Sequence, residues 1–76
     1  IETAELVREL REALESLEHF RAKKCAGKVD DILQYRLSDN VKRKLVEIKE
    51  QLKLYEDDAA EQLLRDLIEE IEKEES

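Results

Sequence analysis

Proline is absent from the 76 residues, and glycine, cysteine and histidine occur once each. Without proline, no residue is compelled to break a helix interior. A single cysteine excludes an internal disulfide and fits a reducing compartment. No apolar run approaches the roughly 20 residues of a membrane span, so no direct membrane contact is expected. No signal peptide is visible, because the first residues are acidic and helical in pattern. Apolar and polar residues nowhere alternate as they would in a strand. There is no low-complexity linker, and no internal sequence repeat is apparent. The sequence begins with Ile1 rather than Met, which predicts a fragment of a longer protein.

Charge is what the chain has in quantity: 46% of residues are Asp, Glu, Lys or Arg. Leu, Glu, Lys, Ala and Arg dominate, the composition of a helical protein, and the length suits one small domain over 1–76. The net charge of −7 is unevenly spread. Residues 1–20 carry 2 basic and 6 acidic side chains, net −4. Residues 21–55 carry 10 basic and 5 acidic, net +5, and residues 56–76 carry 2 basic and 10 acidic, net −8. The overall sign argues against nucleic acid as a partner. The basic middle is suited to an acidic protein surface.

Four apolar stripes predict four helices. Leu6, Val7, Leu10, Ala13, Leu14 and Leu17 recur at steps of 3 and 4, a helix over about 3–18. Phe20 is expected to plug the end of the bundle. Ala22, Cys25, Ala26, Val29, Ile32, Leu33 and Leu37 predict a second helix over about 22–37. Gly27 interrupts it at about 1 kcal/mol against alanine and is read as permitting close packing or loosening the first turns. Ser38, Asp39 and Asn40 are good N-caps. Val41, Leu45, Ile48, Leu52 and Tyr55 form a regular seam over about 40–55. Asp58 with Glu61 fits a capping box, with Asp57 as an alternative cap. Ala60, Leu63, Leu64, Leu67, Ile68 and Ile71 give the last helix, about 58–73. Short corners force neighbouring helices to be antiparallel. The expected fold is all-α, an up-down-up-down antiparallel four-helix bundle.

Few side chains offer chemistry. One His and one Cys six residues apart do not make a zinc set, and the Glu-x-x-His pairs of bundle di-iron sites are absent. No metal and no cofactor is expected. Cys25 falls on an apolar stripe and reads as a buried structural cysteine, although Lys23 and Lys24 stand beside it. His19 is the candidate phosphoryl acceptor. Were the chain helical there, Lys23 would share its face, and Arg21 and Lys24 would add positive field. A histidine at a helix end also simply offsets the negative pole of the dipole.

A small helical bundle with this histidine and these lysines resembles the histidine phosphotransfer domains of bacterial two-component signalling. Ordinary members carry His-x-x-Lys-Gly in mid-helix. Here His19 is followed by Phe20, Arg21 and Ala22, the lysine comes one place late, and Gly27 stands eight residues on rather than four. The chain is closer to the short phosphotransfer-like helical domains at the C-terminal end of hybrid sensor histidine kinases and related response regulators. Two stretches carry the likeness, "HFRAKKCAGKVDDIL" and "VKRKLVEIKEQLKLYEDDAAEQLLRDLIEEI". The accepting histidine is often missing from such domains. The resemblance implies a cytoplasmic bacterial module that docks a receiver or kinase domain without catalytic activity of its own. Its docking candidates are Arg21, Lys23, Lys24, Lys28, Lys42, Arg43 and Lys44. Two further readings stand beside this one: active phosphotransfer through His19, and a structural homo-oligomer paired along the Val41–Tyr55 seam.

Overall fold

A computed structural model describes residues 1–75. It contains α1 (Thr3–Glu18), α2 (Ala22–Ile32), α3 (Asp39–Lys53) and α4 (Asp57–Glu75), with no strand among the described residues. The fold is all-helical and compact, 32 × 20 × 16 Å. At 1.5 Å per residue, the longest helix alone nearly spans the long axis. Each stripe turns inward as its spacing dictates. Leu10, Ala13, Cys25, Val29, Ile32, Leu45, Ile48, Ala60 and Leu64 are fully buried in one shared core. α1 packs on α2 and on α4, and α3 packs on α4; the contact of α2 with α3 is the slightest of the four. α2 is the shortest helix and offers the least surface.

Ion pairs show how the helices lie. Glu18, at the end of α1, pairs with Arg65 midway along α4. Arg11 reaches Glu72 at 2.5 Å. Lys44 near the start of α3 pairs with Glu70 near the end of α4, and Asn40 donates to the same carboxylate at 3.0 Å. The α1–α2 corner and the α3–α4 corner therefore stand together at one end of the molecule.

Several expectations are corrected here. α2 stops at Ile32, not near 37. Asp30 and Asp31 lie in its last turn with no basic residue of α2 beside them, which is unfavourable at the negative pole of a helix, and Asp30 is instead paired with Lys49 of α3 at 2.5 Å. The chain leaves through turns closed by Gln34 N–H to the Asp31 carbonyl and Tyr35 N–H to the Ile32 carbonyl, each 3.1 Å. α3 then starts on Ser38, whose hydroxyl accepts from the Val41 N–H at 3.3 Å. Asp58 is not a cap, because α4 has already begun at Asp57 and both acids lie in its first turn. Gly27 is exposed, and a Cβ built there would meet nothing within 4 Å. It does not serve close packing. Of the seam, Leu45, Ile48 and Leu52 belong to the chain's own core.

Phe20 and Tyr55 depart furthest from expectation. Phe20 is no plug and Tyr55 is no seam residue; they are 96% and 91% exposed. Both have left-handed backbone, φ 61° and 59°. Each occupies the same place in a helix-ending turn. Phe20 N–H donates to the Leu17 carbonyl at 3.0 Å and Arg21 N–H to that of Ser16 at 2.9 Å. Tyr55 N–H donates to the Leu52 carbonyl at 3.1 Å and Glu56 N–H to that of Gln51 at 2.9 Å. These bonds satisfy carbonyls that helix ends leave open, and the left-handed residue swings its side chain out into water. The two corners thus share one design, with buried residues at matching places around them, Leu10 with Leu45, Leu17 with Leu52, Val29 with Leu64.

Candidate functional site: a basic helix start beside His19

The corner from His19 to Lys24 joins α1 to α2. His19 follows the last residue of α1, and its Nδ1 donates to the Glu15 carbonyl at 2.8 Å, which fixes the ring and leaves Nε2 without a hydrogen-bond partner among the described residues. The chain reverses at Phe20, so Lys23 does not share a helical face with His19 as a continuous helix would require. Arg21 and Lys24 instead join His19 in lining a cleft of about 630 Å³ between α1 and α2, with Glu12, Glu15, Ser16, Gly27, Lys28 and Asp31 completing the wall.

The start of α2 breaks a local rule. Helix N-termini favour acidic residues, because unpaired N–H groups make that end positive. α4 obeys, with Asp57 and Asp58 in its first turn. α2 has no acid there; Arg21 precedes it without capping it, and Lys23 and Lys24 follow. All three are exposed, and no ion pair holds any of them among the described residues. Cationic side chains and the helix pole reinforce one another at this end, with Glu12, Glu15 and Asp31 in the adjoining cleft and the Asp57 charge near Cys25.

The remaining docking candidates are not part of this patch. Lys28 is half-buried and already engaged, 3.2 Å from Glu9 Oε1 and 2.9 Å from Glu12 Oε2. Lys44 is held by Glu70. Lys42 and Arg43 are exposed at the start of α3, beyond the far end of α2. The sequence proximity of the seven residues thus conceals two separate surfaces. Cys25 is fully buried; burial first, and the nearby Asp57 charge second, push its thiol up to about 11. It is a packing residue and not a nucleophile at neutral pH. Among the described residues, no helix is long and apolar enough to cross a membrane.

The residue the sequence did not single out is Glu9, which is buried on α1. Lys28 meets its Oε1, while Oε2 has no partner at hydrogen-bond length. The Tyr35 phenol stands near the same carboxylate, which draws on its proton and raises its pKa. Glu12 is held below the usual carboxylate range, first by its hydrogen bond with Lys28 and then by the Lys28 charge. The same contact with Glu12 raises Lys28. Lys28→Met leaves Glu9 buried without a counter-charge and is expected to destabilise the fold by about 1–3 kcal/mol at neutral pH. The sign of the pH effect follows from the lowered Glu12. Its contribution is present above the unfolded carboxylate pKa and disappears as pH falls through the folded value. The Lys28 contribution persists through this range and fades only in strong alkali. Urea unfolding of both proteins at pH 7, and again below the carboxylate range, should therefore show the difference shrinking in acid. An undiminished difference would exclude this account.

No family model, no curated protein and no solved structure matches the chain significantly.

Proposed function

We propose that the chain is a phosphotransfer-like interaction module of two-component signalling, an up-down-up-down antiparallel bundle that docks a receiver or kinase domain through Arg21, Lys23 and Lys24. The observation that supports it most is the cationic start of α2, where three unpaired basic side chains occupy a helix pole that ordinarily attracts acids. An acidic pocket on a partner supplies the missing negative charge, and such pairing acts on encounter rate and register. Lys28 and Lys44 are no longer docking residues in this reading, and Lys42 with Arg43 form a distinct surface.

A second reading has one favourable observation: His19 Nε2 is free, and Arg21 and Lys24 share its cleft. One experiment separates the two. The chain is incubated with a phosphorylated receiver domain, and both binding and label transfer are measured. Docking without transfer predicts binding that weakens more than about tenfold in K23E/K24E, with no acid-labile label on the chain. Label that is acid-labile, base-stable and lost in His19→Gln would establish phosphotransfer instead. Absence of binding, or binding indifferent to the reversal, would overturn the docking proposal.

A further inference from the structure

The end of the molecule that carries both corners has a charge pattern that complements itself. One corner presents Phe20 with Arg21, Lys23 and Lys24; the other presents Leu54 and Tyr55 with Glu56, Asp57 and Asp58. Every one of these side chains is exposed. The corners lie at the same end, since Leu17 and Cys25 flanking the first and Leu52 and Ala60 flanking the second are buried in one shared core, and the Asp57 charge is felt at Cys25. Neither aromatic contributes to the core, and both sit on left-handed backbone that glycine would take without strain. Within the chain, nothing is gained by an aromatic at either place.

We propose that this end binds a second copy of the chain across a twofold axis. Rotation by half a turn sets the basic corner of one copy over the acidic corner of the other, twice per dimer, as an isologous contact requires. Phe20 of each copy then lies toward Tyr55 of its partner, a pairing that covers apolar surface and suits edge-to-face aromatic contact. The face is only about as wide as the 20 × 16 Å cross-section, well below the roughly 800 Å² per partner of a standard stable interface. The pairing is therefore weak, concentration-dependent and sensitive to salt. It needs no receiver domain, and it covers the same Arg21, Lys23 and Lys24 that docking uses, so the two contacts exclude each other.

Sedimentation equilibrium of the intact chain at low ionic strength, taken to millimolar concentration, tests this. A dimer is expected, with its dissociation constant raised at least about tenfold at high salt. K23E/K24E makes this end mainly acidic and E56K/D58K makes it mainly basic; each alone is expected to lose the dimer, and their equimolar mixture to regain it as a mixed pair. Circular dichroism and thermal melting verify that both variants are folded. A chain that remains monomeric at millimolar concentration in low salt overturns the proposal. So do variants that dimerise as the parent does, or a mixture of folded variants that stays monomeric. E56K/D58K leaves the three cationic docking residues in place, so loss of self-pairing and loss of receiver binding are separately visible.

Discussion

Truncation of Leu10 to alanine is expected to lower the free energy of unfolding by about 2.5–5 kcal/mol. Leu10 is fully buried and stands in the core shared by all four helices. Its removal loses both the transfer of the side chain from water and the contacts around the space left behind. The scale of the loss matters in a chain this short. At about 0.05–0.15 kcal/mol per residue, a domain of this size has on the order of 4–11 kcal/mol in total. The variant should therefore sit near the edge of folding at room temperature. Leu45, fully buried at the matching place in the second hairpin, should behave alike. Urea unfolding followed by circular dichroism reads the effect as a shift in midpoint at nearly constant slope. A loss below about 1 kcal/mol at both positions would mean that the core is not packed as described.

Replacing both corner aromatics by glycine is expected to do the opposite. Phe20→Gly with Tyr55→Gly should raise the stability of the single chain by about 1 kcal/mol per site. Left-handed backbone is unfavourable for a residue with a Cβ and free for glycine. Exposures of 96% and 91% mean that almost no burial is lost in exchange. The greater freedom glycine gives the unfolded chain offsets part of the gain. For a small domain the sum corresponds to a rise of roughly 10 °C in melting temperature, measured at a concentration too low for self-pairing. A fall in melting temperature would show that these rings pack against the chain after all, as the sequence pattern suggests.

That contrast shows what was legible in the residues. The stripes of Leu6 to Leu17 and of Ala60 to Ile71 were plain, because a period near 3.6 with inward leucines has one solution in water. Phe20 and Tyr55 were misjudged for a physical reason: hydrophobicity predicts burial only where the backbone points inward, and a left-handed residue after a helix points out. The end of α2 was missed because Leu33 and Leu37 remain half-buried without being helical. They continue the apolar spacing while Asp30 and Asp31 weaken the helix. The site was legible in part. Arg21, Lys23 and Lys24 could be named from sequence, but not that Lys28 and Lys44 were engaged by Glu9, Glu12 and Glu70. Those partners lie on other helices, and no local pattern shows them. Glu9 gave no signal at all, since a glutamate on the edge of an apolar stripe looks like any other solvated acid.

The proposed role of the α2 start is to meet an acidic partner surface. The most direct measurement is a titration of the isotope-labelled chain with an unlabelled receiver domain, followed by amide chemical shifts. The account predicts progressive shifts confined to His19 through Lys24 and the adjoining cleft, with Lys42 and Arg43 at the far end unmoved. Shifts centred on Lys42 and Arg43, or none at receiver concentrations well above that of the chain, would contradict it.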